Sequence, residues 1–392
     1  MATVLLIIGI LLFIGLVVIH EFGHFIAARR GGVDVEEFGI GFPPRAWKKR
    51  IKSEKGDYDF TLNWLPLGGF VRLKGESDSA TELGSFGAAP LSTKVKIMVA
   101  GVLMNLLAAF VLFTLVAWAG MPRLPEFAVP NQFTVASDER VVSEPRNQDI
   151  VLIARVVEGS PAEGAGIEVE DELVAINETE ITSSADVLEV TEANAGEEVL
   201  VTIRQAENDE TRKLVIQLND SGEEGYLGVV PFSGQEGFKV VRYTWSAPIV
   251  AVGSIGQFTQ LTFVGLGNAL SGFGQYLTSF VTGDQDAREA GQTQATEQVT
   301  GPVGIFATLA AVSQEGVSLM LFIVALISLA LAIMNILPIP ALDGGRLFVT
   351  LFFRALKRPL DKSLEEKIHG TGFLLLMALF VLITIVDVRR FF

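Results

Sequence analysis

The chain contains no cysteine, so neither a disulfide framework nor thiolate chemistry is open to it, and the sequence leaves its redox compartment unmarked. Histidine is almost as scarce, at three residues in 392, which leaves few imidazoles for metal binding or proton transfer. Basic residues are thin in the middle: between residues 121 and 315, 10 Lys and Arg stand against 30 Asp and Glu, leaving 20 basic and 15 acidic residues elsewhere. The net charge is −15, and no nucleic-acid partner is expected of such a chain.

What is abundant is apolar sequence. Hydrophobic residues make up 49% of the chain, mean hydropathy is +0.44, and the apolar residues fall in blocks. Val4 to Ala28, Val95 to Trp118, Val317 to Ile336 and Phe373 to Val386 each approach the ~20 residues that a helix needs to cross a bilayer core. The expected fold is therefore a polytopic α-helical membrane protein with four transmembrane helices. The first block has no basic residue before it and Arg29 and Arg30 after it, the polarity of an uncleaved anchor rather than a signal peptide. The stretches Arg29 to Lys96 and Arg346 to Lys367 are rich in Lys and Arg, so the positive-inside bias puts both in the cytoplasm, with the acidic middle and both chain ends outside. A cell-membrane location with lipid as a partner follows.

Between the spans the pattern changes. Residues 31–94 form a cytoplasmic loop in which Asp34 to Lys74 alternates around glycine and proline, as in Tyr58 to Trp64 and Gly69 to Leu73, and this predicts a membrane-associated β-hairpin. The second span covers 95–121 and a linker 122–148. Residues 149–232 read as a soluble, extracytoplasmic α+β domain. Its expected strands are Val151 to Val157, Glu172 to Ile176, Val199 to Arg204, Lys213 to Leu218 and Tyr226 to Val230, with a helix near Ala185 to Ala195. Ser160 to Ile167 and Gly225-Tyr226-Leu227-Gly228 within it resemble a PDZ domain in the circularly permuted bacterial arrangement. Residues 233–300 read as an amphipathic interfacial segment and linker, although a fifth span within Thr244 to Val281 is also compatible with the composition. The third span falls in 301–345, a second cytoplasmic loop in 346–368, and the last span with the C-terminus in 369–392.

The chemistry concentrates at His20-Glu21-Phe22-Gly23-His24, an H-E-x-x-H pattern inside the first span. On a helix, residues four apart share one face about one turn apart, so both imidazoles can reach one metal ion, and Glu21 beside them can act as general base toward a zinc-bound water. Ionisable groups inside an apolar span are expensive, which makes function their default reading; a polar patch for helix packing is the bland one.

A catalytic zinc takes three protein ligands and keeps a fourth position open. The remaining histidine, His369, stands at the edge of the last span, where a solvated or satisfied interfacial histidine is the ordinary reading. Asp343, in Asn335-Ile336-Leu337-Pro338-Ile339-Pro340-Ala341-Leu342-Asp343-Gly344-Gly345, is the better candidate. Two prolines remove helix hydrogen bonds and two glycines admit unusual backbone angles, so the helix is expected to break there, and broken backbone at membrane depth is tolerated where it lines a cavity. A plain helix end with Asp343 in water is the alternative.

Taken together, these segments resemble the site-2 proteases, in particular the bacterial regulator-of-sigma-E protease type. The similarity extends to Phe38 to Phe42, Leu65 to Val71 and Gly301 to Phe306. The resemblance implies intramembrane zinc proteolysis with Asp343 as third ligand, Asn335 holding substrate, and the hairpin near Phe60 to Val71, including Phe70 and Val71, offering an edge strand. It implies single-span transmembrane substrates already trimmed by another protease. The chain departs from the pattern in having one PDZ domain where the best-known relatives have two, and in lacking a proline in Gly101-Val102-Leu103-Met104-Asn105. Asn105 is expected to contact substrate or the catalytic helix, and ordinary interhelical hydrogen bonding is an equally good reading. Gly225, Tyr226, Leu227 and Gly228 offer backbone donors for a substrate carboxylate. Two rivals from other classes are a non-catalytic membrane PDZ scaffold, against which an intact Glu21 speaks, and a metal transporter, for which the spans lack a further ionisable relay.

Overall fold

A computed structural model describes residues 2–391 except 55, 125–128, 144–145, 158, 206–209, 221–224, 237–238, 286–287, 289, 292–293 and 295–300. The chain divides into two units, residues 141–240 and the remainder.

In the larger unit, five helices among the described residues are long and apolar enough to span a membrane: Ala2–Arg30, Leu91–Ala119, Val317–Ile336, and the spans Ala247–Ser279 and Lys362–Val388 within two further helices. They mark a membrane protein, and Val4, Ile7 and Leu11 of the first helix are exposed, as lipid-facing side chains would be. Four of them cover the four expected spans, and the fifth falls in the segment read as interfacial, where a further span is also compatible with the composition. The additional helix, Ala247–Thr282, runs unbroken for 36 residues and ends on the left-handed Gly283. Its glycines do not break it: glycine weakens helices in water, whereas helices in lipid use small residues to let neighbours approach. At Gly253 an added Cβ would lie 2.2 Å from the Phe133 ring.

Three helices approach closely. A Cβ at Gly23 would stand 2.5 Å from the Ala100 carbonyl oxygen, and one at Gly9 would stand 2.6 Å from Met320 Sδ. The third expected span, Val317 to Ile336, is a helix with those bounds, and a separate helix, Pro302–Glu315, precedes it across Gly316, whose φ of 108° is outside ordinary helical space. After Ile336 the helix stops, and the chain resumes as Asp343–Ala355, the interruption expected from Pro338 and Pro340.

The hairpin Val35–Ile51 and Tyr58–Leu73 pairs antiparallel with a displaced register. Glu37, Phe38, Gly39 and Ile40 each have two partners, Asp59 to Leu62 on one side and Gly69 to Arg72 on the other. A strand has only two hydrogen-bonding sides, so residues 37–40 are interior and 69–72 form an edge. The buried Glu37 carboxylate ties the turns of this sheet together, accepting from the Thr61 hydroxyl at 2.9 Å and from Arg45 and Arg72 at 3.2 and 2.8 Å. Such a network costs free energy unless fully partnered, so it specifies one register.

The smaller unit is an antiparallel sheet in the order Val229–Glu236, Arg146–Val156, Glu172–Ile176, Glu198–Arg204, Thr211–Gln217, with the short Thr179–Glu180 also paired to Glu172–Ile176. Val151, Ile153, Leu173, Ile176, Val201 and Ile203 form its core. The last strand starts at Val229 rather than Tyr226, because Gly225 and Gly228, at φ 84° and 78°, bend the chain before it. The helix Ser184–Ala193 begins on a capping box: Ser183 Oγ accepts from the Asp186 N–H at 3.2 Å, and Asp186 Oδ2 accepts from the Ser183 N–H at 2.9 Å.

The Ser183 hydroxyl and the N–H of Thr182 hold the Asp186 carboxyl down at about 2. Because the folded-state value lies below the unfolded one, this contribution is complete above the ordinary carboxylate range and fades as pH falls toward 2. Ser183→Ala should cost about 1 kcal/mol, read as roughly fivefold faster amide exchange in the first turn of this helix at neutral pH. An unchanged rate would show that the cap does not hold the helix.

Candidate metal centre

His20 and His24 occupy one face of the first helix, 7% and 9% exposed, with their Nε2 atoms 3.2 Å apart. Asp343 arrives from the other end of the chain. Its Oδ2 lies 3.0 Å from Nε2 of both imidazoles, and the candidate ligand atoms all fall within 4.8 Å of one another. The fit to zinc can be tested on these spacings. Tetrahedral bonds of about 2.0–2.1 Å put neighbouring ligand atoms about 3.3 Å apart, close to what the side chains already present, and a two-imidazole, one-carboxylate donor set suits that ion.

The second helix helps to aim the first. His24 Nδ1–H donates to the Ile97 carbonyl at 2.7 Å, which leaves the Nε2 lone pair facing the cluster. Asn105, 1% exposed, places its amide 3.3 Å from His20 Nδ1. Glu21 does not join the cluster of ligand atoms; its Oε2 accepts the Val71 N–H at 3.1 Å, so the carboxylate is tied to the edge strand of the hairpin. A cavity of about 120 Å³ opens beside it, lined by Glu21, His24, Glu76, Phe86, Met98 and Asp343 among others.

Asp343 is delivered by the interrupted helix. Ala341 adopts φ 81°, and its N–H meets His369 Nδ1 at 3.4 Å. The two glycines after Asp343 serve a different purpose from the one expected: neither has positive φ. A Cβ at Gly344 would lie 2.3 Å from the Ile336 carbonyl oxygen, and one at Gly345 would lie 2.0 Å from that of Ile339, so they let the turn fold down onto the start of the next helix.

The other sequence candidates are distributed as follows. His369 braces the turn two residues before Asp343 and lies outside the metal cluster. Asn335, in the last turn of its helix, donates to the Leu331 carbonyl at 2.9 Å. Phe70 packs its ring over Gly39. Gly225 to Gly228 belong to the smaller unit, where Leu227 is buried in the core. Gly101 escaped the sequence reading as a site residue, yet an added Cβ there would lie 2.5 Å from His24 Nε2 and 2.8 Å from His20 Nε2; its signal was the four-residue spacing to Asn105.

Comparison with known proteins agrees with this geometry. The family model for peptidase family M50 matches residues 8–379. A Clostridium perfringens protein described as a candidate zinc metalloprotease is 28% identical, over 98% of this chain and 98% of its own length. A Nostoc protein described in the same way is 26% identical over 96% and 93%, and the zinc metalloprotease RasP of Geobacillus kaustophilus is 25% identical over 98% and 97%.

Asp343→Asn should lower zinc content and hydrolysis together, by more than the roughly 10–100-fold typical when a partner of a ligand is removed. His369→Ala should leave zinc content close to wild type, since it touches only the backbone of the turn. Metal analysis by mass spectrometry of detergent-purified variants separates the two, and the opposite ranking would make His369 the ligand.

Proposed function

We propose, from the premise that this chain belongs to peptidase family M50, that this zinc metalloprotease is an intramembrane endopeptidase of the site-2 type that cuts the transmembrane segments of single-span proteins. The observation that carries the proposal is the meeting of His20, His24 and Asp343 within an apolar helix bundle, with Glu21 bonded to the hairpin edge beside them. His20, His24 and Asp343 are the zinc ligands in this reading, and Glu21 is the general base.

A transmembrane helix hides its carbonyls in its own hydrogen bonds, so it must unwind before any peptide bond can be attacked. The edge at Gly69 to Arg72 offers replacement bonds to an extended segment by strand addition, with Phe70 and Val71 as the contact. Because the Val71 N–H is given to Glu21, an added strand would bond to the other outward-facing groups of the edge, with its register set relative to the base. His20, His24 and Asp343 would hold a zinc ion that would supply Lewis acidity toward the scissile carbonyl and a water molecule. Glu21 would take a proton from the water as its oxygen bonds to the carbonyl carbon, and would return it to the amine nitrogen as the C–N bond breaks, leaving one peptide with a new carboxyl end and one with a new amino end. Asn335, beside the break in its helix, is assigned to holding the substrate chain.

The basic stretches at 29–96 and 346–367 support a site near the cytoplasmic face of the cell membrane, with Ala247–Thr282 lying along the interface in this reading, so that both stretches share one side. The smaller unit is then an extracytoplasmic PDZ domain covering residues 149–232, which excludes uncut ectodomains more than it recruits trimmed ones. Its Gly225 to Gly228 donors suit a carboxylate, but the acidic surroundings repel one. Substrates of the class of anti-sigma factors or signal-peptide remnants fit this arrangement.

Glu21→Gln should reduce cleavage of a single-span substrate in reconstituted membranes by at least ~100-fold, with zinc retained, because the amide cannot take a proton while the ligands survive. Normal turnover would sink the assignment. Deleting residues 149–232 should leave zinc bound and allow cleavage of substrates with untrimmed outer domains; slower cutting of trimmed substrates with no gain on intact ones would identify a recruiter instead.

A further inference from the structure

Ile97, Gly101 and Asn105 recur every four residues along Leu91–Ala119, and so share the face that this helix turns to the two histidines. Ile97 supplies an acceptor to His24. Gly101 leaves no room for a side chain between itself and the two Nε2 atoms. Asn105 stands at His20 Nδ1 with its Nδ2 at 3.3 Å, while its Oδ1 is buried without a partner. The backbone of Asn105 is pinned as well, its carbonyl accepting from the buried Ser328 hydroxyl at 2.8 Å.

This amide orientation conflicts with the geometry of the cluster. His20 Nε2 is the atom that faces Asp343 and His24, and a ligand nitrogen needs its lone pair, so the ring proton belongs on Nδ1. An N–H cannot bond to the Nδ2–H₂ of an amide. Turning the Asn105 amide by half a revolution exchanges O for N, an assignment made from hydrogen bonding alone, and puts Oδ1 against Nδ1–H.

We infer that Asn105 is a positioning residue for the metal centre: its side-chain carbonyl accepts the His20 Nδ1–H, fixing the tautomer and ring plane that present Nε2 to zinc. The second helix thereby orients both imidazoles, through the Ile97 carbonyl and the Asn105 amide, with Gly101 between them as the clearance for the ion. This reassigns Asn105 from the substrate to His20, and it rests on the reading of His20 as a zinc ligand.

The test measures zinc affinity of the full-length protein in detergent by competition with a chelator, together with the visible spectrum of the cobalt-loaded form. Asn105→Leu, close in size but without an acceptor, should bind zinc about 10–100-fold more weakly and alter the cobalt bands. Asn105→Asp restores an acceptor at the same place and should return both readouts to near wild type. Wild-type affinity in Asn105→Leu, with only KM raised, would overturn the inference and return Asn105 to the substrate. Equal loss in Asn105→Asp and Asn105→Leu would overturn it too, because a role in packing alone would not be rescued by the carboxylate. Wild-type protein that holds no zinc would overturn the proposed function, and this inference with it.

Discussion

Two imidazoles and two carboxylates gathered inside an apolar helix bundle must each be partnered, because a buried polar group left alone costs several kcal/mol. Much of the larger unit can be read as the answer to that demand. Asp343 sits between the two Nε2 atoms, Ile97 takes the far side of His24, and Val71 takes Glu21. Each partner comes from a different stretch of chain. The site therefore exists only when the first helix, the second helix, the hairpin and the turn before Asp343 have all come together.

Lipid gives helices no hydrophobic reason to associate, so close contact must come from small residues at the crossings. Gly23 and Gly101 act at the same crossing from its two sides: the first lets the helices meet at the Ala100 backbone, and the second admits the imidazoles against the facing helix. Gly344 and Gly345 do the equivalent for the turn that delivers Asp343. The glycines are thus where helix packing and metal geometry become one constraint.

The parts of this arrangement that could be read in advance are those written in local sequence. His20, Glu21 and His24 lie within one and a half helical turns, and their periodicity is visible without knowing the fold. Pro338 and Pro340 announced the break before Asp343 by their missing N–H groups. Other features depend on contacts between distant residues. Residues 37–40 became the interior strand of the hairpin sheet because they pair with two later segments at once, which alternation cannot reveal. The continuity of Ala247–Thr282 was hidden by glycine, whose cost depends on the solvent around the helix. Val71 as the partner of Glu21 has no local signal at all, since a backbone N–H is present at every non-proline residue.

The same logic extends to the loop that roofs the cavity. Lys94 is buried in the second helix, where it pairs with Asp78 and stands 5.5 Å from the centre of the Phe86 ring. Arg346 lies over that ring at 4.7 Å and donates to the Glu76 carbonyl, while Glu365 accepts the Asp78 N–H at 2.8 Å. Lifting the loop would strand Lys94 in a medium that penalises a lone charge by about 3–5 kcal/mol. The roof is therefore held from three helices, over a small cavity lined by Glu21 and Asp343 among others. In the proposed reaction the compartment is already built before substrate arrives. The conformational cost of hydrolysis then falls on the substrate helix, which must unwind to reach an edge strand whose position relative to the base is fixed by the bond from Val71 to Glu21.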